Sequence, residues 1–151
     1  MREALDIAAT LCREFEGLRL SPYICPAGYP TIGYGTVWKP DGTRVDLDHS
    51  RITKETAEEW LMSELQHTYL AGVIKASPTL LTKPRALGAI TDFAYNLGVA
   101  RYRASTLRRK IDAGEWGAAQ QELMKWTRGG GRVLPGLVKR PKAELAFLTE
   151  L

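Results

Sequence analysis

The chain has 151 residues, 44% hydrophobic and 25% charged, with a net charge of +4. That length suits one cooperative unit, which buries about two-thirds of the surface its unfolded form exposes and folds without staples. Two cysteines are too few for a disulfide scaffold, no Cys/His cluster has metal-ligand spacing, and no apolar run nears the roughly 20 residues of a membrane helix.

Residues 3–15 read as an amphipathic helix. Leu5, Ala8, Cys12 and Phe15 fall on one face, and Gly17 stands where the helix stops. The charges Arg2, Glu3, Asp6, Arg13 and Glu14 do not resemble a secretory signal, so the chain is expected to be cytoplasmic when made. From Leu18 to Trp38, alternation, aromatics and repeated Gly/Pro predict short strands, with Pro26-Ala27-Gly28 as one turn. Asp41-Gly42 marks a second turn, between Val37-Trp38 and Arg44-Val45, so 18–48 reads as a small β meander.

Thr53 is placed to cap a long helix, with Glu55, Glu58 and Glu59 at its positive end and Trp60, Leu61, Leu65, Leu70 and Ile74 on its apolar side. It runs about 20 residues, roughly 30 Å, to Pro78. Further helices are predicted over 83–96, 105–112, 116–126 and 136–149. Ser105 is a cap, Asp112-Ala113-Gly114 a stop, and the stretch from Arg128 to Arg132 a flexible loop. The layout is α+β: a small N-terminal β-hairpin or meander lobe (about 15–55) joined by a long helix to a helical lobe (1–14 and 56–151). Together they make a single domain, 1–151, with a cleft between its lobes.

Glu16 lies at the end of the first helix, facing that junction, where apolar walls can hold a proton on a carboxyl. Cleavage of a glycosidic bond requires such an acid. It also requires a second group acting from the other face of the sugar, directly or through water. Cys25 and Thr31 follow nine and fifteen residues later, in the predicted hairpin. Taken alone, a Glu at a helix end is more often solvated or capping, and the spacing does not decide.

The whole pattern does more. A Glu, eight residues, an Asp or Cys, five residues and a Thr, set within FEGLRL…Y…G…TIGYG, resembles the signature of the phage lysozyme family of glycoside hydrolases. Here it reads Glu16, Cys25 and Thr31, with Tyr23 and Gly28 in register. Phe93-Ala94-Tyr95-Asn96-Leu97-Gly98, Ser105-Thr106-Leu107, Trp126 and Gly136-Leu137-Val138-Lys139-Arg140 followed by Glu144 resemble the family's helical-lobe markers. The resemblance implies a lysozyme-like fold and an endolysin that hydrolyses, with inversion, the β-1,4 bond between N-acetylmuramic acid and N-acetylglucosamine. Glu16 is then the general acid, and Cys25 and Thr31 orient or activate water. Val37, Tyr95, Asn96 and Thr106 are the implied substrate-binding residues. No cofactor or metal is implied. The implied partners are peptidoglycan and, indirectly, a holin for release to the wall or periplasm. The chain is expected to be a monomer without nucleic acid or stable membrane insertion.

Two positions depart from the family's commoner pattern. Cys25 replaces an Asp, and a thiol is mostly neutral at pH 7 unless its surroundings favour the thiolate. Thr36 follows TIGYG where many relatives place a His. Cys12, one turn before Glu16, is either a small core residue or the partner of a reversible bond to Cys25. Lys139 and Arg140 are either a surface pair or reach Glu16, where a cation would favour the carboxylate and oppose the acid role.

Charge is uneven. Residues 1–75 hold 8 Lys/Arg and 11 Asp/Glu, whereas 76–151 hold 13 and 6, with Arg101, Arg103, Arg108, Arg109 and Lys110 the densest cluster. That suits an anionic wall, or simply solubilises the fold. The alternatives are a lytic transglycosylase, a catalytically weak peptidoglycan-binding protein, and a nucleic-acid-binding module reading 105–126 as a helix-turn-helix. The last leaves FEGLRL…TIGYG unexplained.

Overall fold

The structure, a computed structural model, describes residues 1–149 except 130, 131 and 134; for 127–129, 132, 133 and 135–137 it describes the backbone alone. Helix α1 (Arg2–Glu16) buries Leu5, Ala8 and Cys12, the face its spacing predicts, with Ala4, Ala9 and Leu11 beside them. Strands β1 (Arg19–Ile24) and β2 (Pro30–Gly33) then pair antiparallel, with Tyr23 opposite Thr31.

Beyond Gly33 the meander is thinner than its alternation predicts. Two isolated bridges, Ile32 with Thr36 and Trp38 with Arg44, replace a continuous ladder. Local chemistry competes here: the Asp41 carboxylate takes both the backbone N–H (2.9 Å) and the hydroxyl (2.6 Å) of Thr43, closing the turn on itself.

The long helix forms in three parts. Thr53 caps α2 (Lys54–Glu64) by accepting from the Thr56 N–H. A π-helical stretch, Leu65–Leu70, follows, and α3 (Ala71–Ala76) completes it. A wider turn of this kind often sits beside a functional site, and here it carries His67 and Tyr69.

Helix α4 (Pro84–Leu97) is the central element, with every residue from Ala86 to Ala94 buried. It packs along α1 so closely that a Cβ on Gly88 would stand 2.7 Å from Ile7 Cβ and 2.9 Å from the Ala4 carbonyl. Helix α5 (Val99–Ala104) has no counterpart in the sequence reading. Its arginines Arg101 and Arg103 mask Tyr102, which is fully buried and shares a 2.7 Å hydrogen bond with Ser77. Ser105 caps α6 (Thr106–Asp112) by accepting from the Arg108 N–H. Helix α7 (Trp116–Met124) follows.

The predicted flexible loop instead holds a short hairpin, β3 (Arg128–Gly129) against β4 (Arg132–Val133). Gly130 and Gly131 of that loop lie outside the described residues. Helix α8 (Pro135–Leu145) stops short of the predicted 149. Phe147 and Leu148 turn back onto the Glu144 and Leu145 carbonyls, which buries Leu148. The architecture is thus mostly helical with the small β1–β2 sheet in its N-terminal part, as expected, and the short β3–β4 hairpin in addition.

Candidate active site

Glu16 is the last residue of α1, with its side chain 22% exposed. Its Oε2 accepts a hydrogen bond from Arg140 Nη1 of α8. Its Oε1 lies over Gly35, where a Cβ would come within 2.8 Å of that oxygen; Gly35 also has φ +83°, so both space and backbone ask for glycine. Tyr95 stands beside them. Its hydroxyl donates to the Tyr34 carbonyl at 2.6 Å, which ties α4 to the TIGYG turn.

Arg140 reaches Glu16, whereas Lys139 is exposed. The guanidinium is 9% exposed and serves two acids, donating from Nε (2.9 Å) and Nη2 (2.7 Å) to Asp92 as well as to Glu16. Burial works against its charge, but Asp92 and Glu16 together hold it protonated. Glu144 completes the buried group. Burial, and the hydrogen bond it shares with Asp92, raise its pKa well above the ordinary value, so it keeps its proton.

Cys12 belongs to this network. Its thiol lies 3.2 Å from Asp92 Oδ1, and burial followed by the Asp92 charge pushes its pKa far up. Both cysteines are free, and Cys12 is a buried thiol.

Cys25 and Thr31 meet across the first turn. Cys25 closes it by donating its N–H to the Tyr29 carbonyl (3.0 Å) and accepting from Gly28 (2.8 Å). The Thr31 hydroxyl, 2% exposed as a residue, donates to the same Tyr29 carbonyl at 2.8 Å. Its closeness to the Cys25 sulfur is the first cause of a lowered Cys25 pKa, followed by the backbone at Tyr29 and, against a smaller opposing effect of burial, at Ala27 and Gly28. The hydroxyl has one proton. It can serve the carbonyl while Cys25 is a thiol and turn to the sulfur when it ionises. Tyr23 lies opposite Thr31 on the paired strands, and burial raises the pKa of its hydroxyl.

Thr36, where an imidazole is commoner, is fully buried beside Glu64, and its hydroxyl favours the Glu64 carboxylate. Yet neither Thr36 Oγ1 nor Glu64 Oε1 makes a well-aligned hydrogen bond. Burial, the larger effect, raises the Glu64 pKa to about 7, and the Glu16 charge adds to it. Glu64 opens onto a groove of about 500 Å³ lined also by Trp38, Lys39, Ser63, His67 and Tyr69. The Tyr69 ring meets Tyr95 edge-on at 5.0 Å, linking this groove to Glu16. A larger cavity, about 710 Å³, lies on α1's outer face around Asp6, Thr10 and Arg85, among none of these groups.

Glu16, Tyr95 and Arg140 are therefore in one cluster and Cys25 with Thr31 in another. Val37 is half-buried on the way to the groove, and its carbonyl accepts from Val45. Asn96 is exposed, and Thr106 accepts from Arg109 at 2.7 Å; no hydrogen bond or ion pair among the described residues joins either to Glu16. Sequence reasoning missed Asp92 and Glu64. The signal for Asp92 was a lone acid inside the apolar run 86–94, and for Glu64 an acid between Leu61 and Leu65 on the buried stripe. Among the described residues no group of three or more His, Cys, Asp or Glu could hold a metal, and no helix is long and apolar enough to cross a membrane.

Comparison with known proteins gives a consistent set. The family model described as phage lysozyme matches residues 13–144. The endolysin of Acyrthosiphon pisum secondary endosymbiont phage 1 is 32% identical over 141 residues, 91% of each chain. Among solved structures, the endolysin from Escherichia coli O157:H7 phage FAHEc1 superposes with a TM-score of 0.80 at 30% identity, covering 98% of this chain and 91% of that one. The muramidase domain of SpmX from Asticcacaulis excentricus gives 0.79 at 27% identity, covering 95% of each.

Proposed function

This chain belongs to the phage lysozyme family of peptidoglycan-lytic glycoside hydrolases, and from that premise we propose that Glu16 is the general acid that protonates the leaving glycosidic oxygen. The observation that carries the assignment is the setting of its carboxyl, with one oxygen on Arg140 and the other over Gly35. Arg140 favours the Glu16 carboxylate and so works against the acid role, but its charge is shared with the Asp92 carboxylate, which divides that pull between two acids. Substrate arriving at Oε1 then meets the proton, while Arg140 fixes the carboxyl's orientation through Oε2.

Water attacks the anomeric carbon from the opposite face, which inverts it. Cys25 activates or orients that water as a thiolate, accepting the proton the water loses as its oxygen bonds the anomeric carbon, and the Thr31 hydroxyl and the turn's backbone favour the thiolate. The bond cut is the β-1,4 link between N-acetylmuramic acid and N-acetylglucosamine, in keeping with the muramidase neighbour. Val37 and Tyr95 line the sugar path, and Asn96 and Thr106 contact substrate from the helical lobe. The same reading makes 1–151 one lysozyme domain, monomeric, that reaches the wall with the help of a holin. A lytic transglycosylase needs no positioned water, and the Cys25–Thr31 pairing favours the hydrolase.

Glu16→Gln is the test. The amide keeps the shape and an Arg140 contact but has no proton to give, so the clearing of a peptidoglycan suspension should slow by about 10²- to 10⁴-fold with an unchanged circular dichroism spectrum. Wild-type-like clearing by the folded variant removes Glu16 from the reaction.

A further inference from the structure

Arg44 is held in an unusual way for an exposed residue. Its guanidinium lies 5.2 Å from the centre of the Tyr29 ring and 5.2 Å from that of Trp38. The rings are 50% and 55% exposed. They come from different turns, Tyr29 from the β1–β2 hairpin and Trp38 from the bridge that pairs it with Arg44. Among the described residues no carboxylate stands within ion-pairing reach of Arg44. The nearby Asp41 carboxylate is spent on Thr43.

Both jaws of this clasp are tied to the site. The Tyr29 carbonyl accepts from the Cys25 N–H and the Thr31 hydroxyl. Trp38 lines the groove with Glu64 and Tyr69. Rings against a guanidinium occupy its faces and leave its N–H edge open, the edge that binds a carboxylate with two parallel hydrogen bonds.

We propose that Arg44, clasped by Tyr29 and Trp38, is a specificity-determining residue that binds a free carboxylate of the peptide stem carried by muramic acid, so that the enzyme favours peptide-bearing over bare glycan. The proposal rests on the muramidase reading above. The chemistry fits because each stem hangs from the muramic acid whose bond is cut, and its free acids are the anionic groups nearest that bond. Lys39, on the same groove, adds a second cation to the rim.

The test compares three substrates: intact peptidoglycan, the same glycan stripped of peptides by an amidase with the lactyl carboxylates so exposed then amidated, and peptidoglycan whose stem carboxylates have been amidated with carbodiimide and ammonia. Release of reducing ends gives kcat and KM for each. Wild type should favour the intact polymer by roughly tenfold or more in kcat/KM, the scale of one charge-assisted contact. Amidation should abolish that preference, which tests the proposal without any variant. Arg44→Gln should raise KM on intact polymer by roughly the same factor, with kcat and stripped-glycan cleavage unchanged, and Arg44→Lys should restore part of it. Equal losses on intact and stripped glycan mean that Arg44 only braces the hairpins, and overturn the proposal. So does a wild type indifferent to amidation. A wild type that cleaves none of the three overturns the muramidase reading itself.

Discussion

On the proposed reading, Cys25 is the residue on which this enzyme's chemistry parts from that of an acid at the same place. An Asp there is ionised at neutral pH without help, whereas a thiol needs its surroundings, and here the Thr31 hydroxyl comes first among them. Cys25→Asp should therefore retain lysis, and Cys25→Ser should lose most of it, because a hydroxyl does not ionise in this range. Thr31→Val removes the hydroxyl that favours the thiolate. Alkylation of Cys25 by iodoacetamide at pH 7 should then slow several-fold, the thiolate being the reactive form. Cys12 does not confuse the measurement, since it is buried and its pKa is pushed far up. If Thr31→Val alkylates as fast as wild type, the hydroxyl does not tune the thiol. If Cys25→Ser and Cys25→Ala both clear walls at the wild-type rate, position 25 is packing alone.

At the level of elements, the close contact of α1 with α4 sets where Glu16 ends up. Gly88 allows that contact. Ala is the better helix former by about 1 kcal/mol, yet its methyl would press on Ile7 and the Ala4 carbonyl, and one of these is backbone. Gly88→Ala should thus destabilise by about 1–3 kcal/mol net, read from urea unfolding, and a stabilised variant would mean that the helices have room to part. The helices themselves were legible where caps and periodicity agreed, as at Thr53 and Ser105. Helix α5 was not, because Arg101 and Arg103 hide the single buried Tyr102 between them. Nor was the full extent of the meander, where Asp41's bonds to Thr43 outcompete the ladder. The candidate site was legible as motifs, Glu16, Cys25 and Thr31, together with Arg140 as one of two open readings. Asp92 and Glu64 were not, since only the folding of α4 and α2 against α1 and the TIGYG turn turns two unremarkable acids into buried ones.

Across the whole molecule, those buried acids set how stability follows pH. Glu64 carries a folded-state pKa of about 7 against an ordinary 4.5, chiefly through burial. The native state therefore holds a proton that the unfolded chain releases, so this contribution is fully present below about pH 4.5 and is lost as pH rises to about 7. Its size is about 1–3 kcal/mol, discounted because Glu64 also opens onto the groove. Glu144 works in the same direction. Glu64→Gln cannot ionise, so its stability relative to wild type should climb by that amount between pH 5 and pH 8 in denaturant titrations. A constant difference across that range would mean that Glu64 titrates normally in the folded protein.

The contact between Glu16 and Arg140 joins positions 124 residues apart. At roughly 5–20 residues per second, translation separates the two by about 6–25 s. For that interval the nascent chain has Glu16 but not the cation that orients it, and Asp92, 48 residues before Arg140, lacks its counter-charge over the last part of it. On the proposed reading of Glu16, chain order alone then acts as a safeguard: an N-terminal fragment that ends before α8 lacks the guanidinium that fixes the acid, so it should clear no walls.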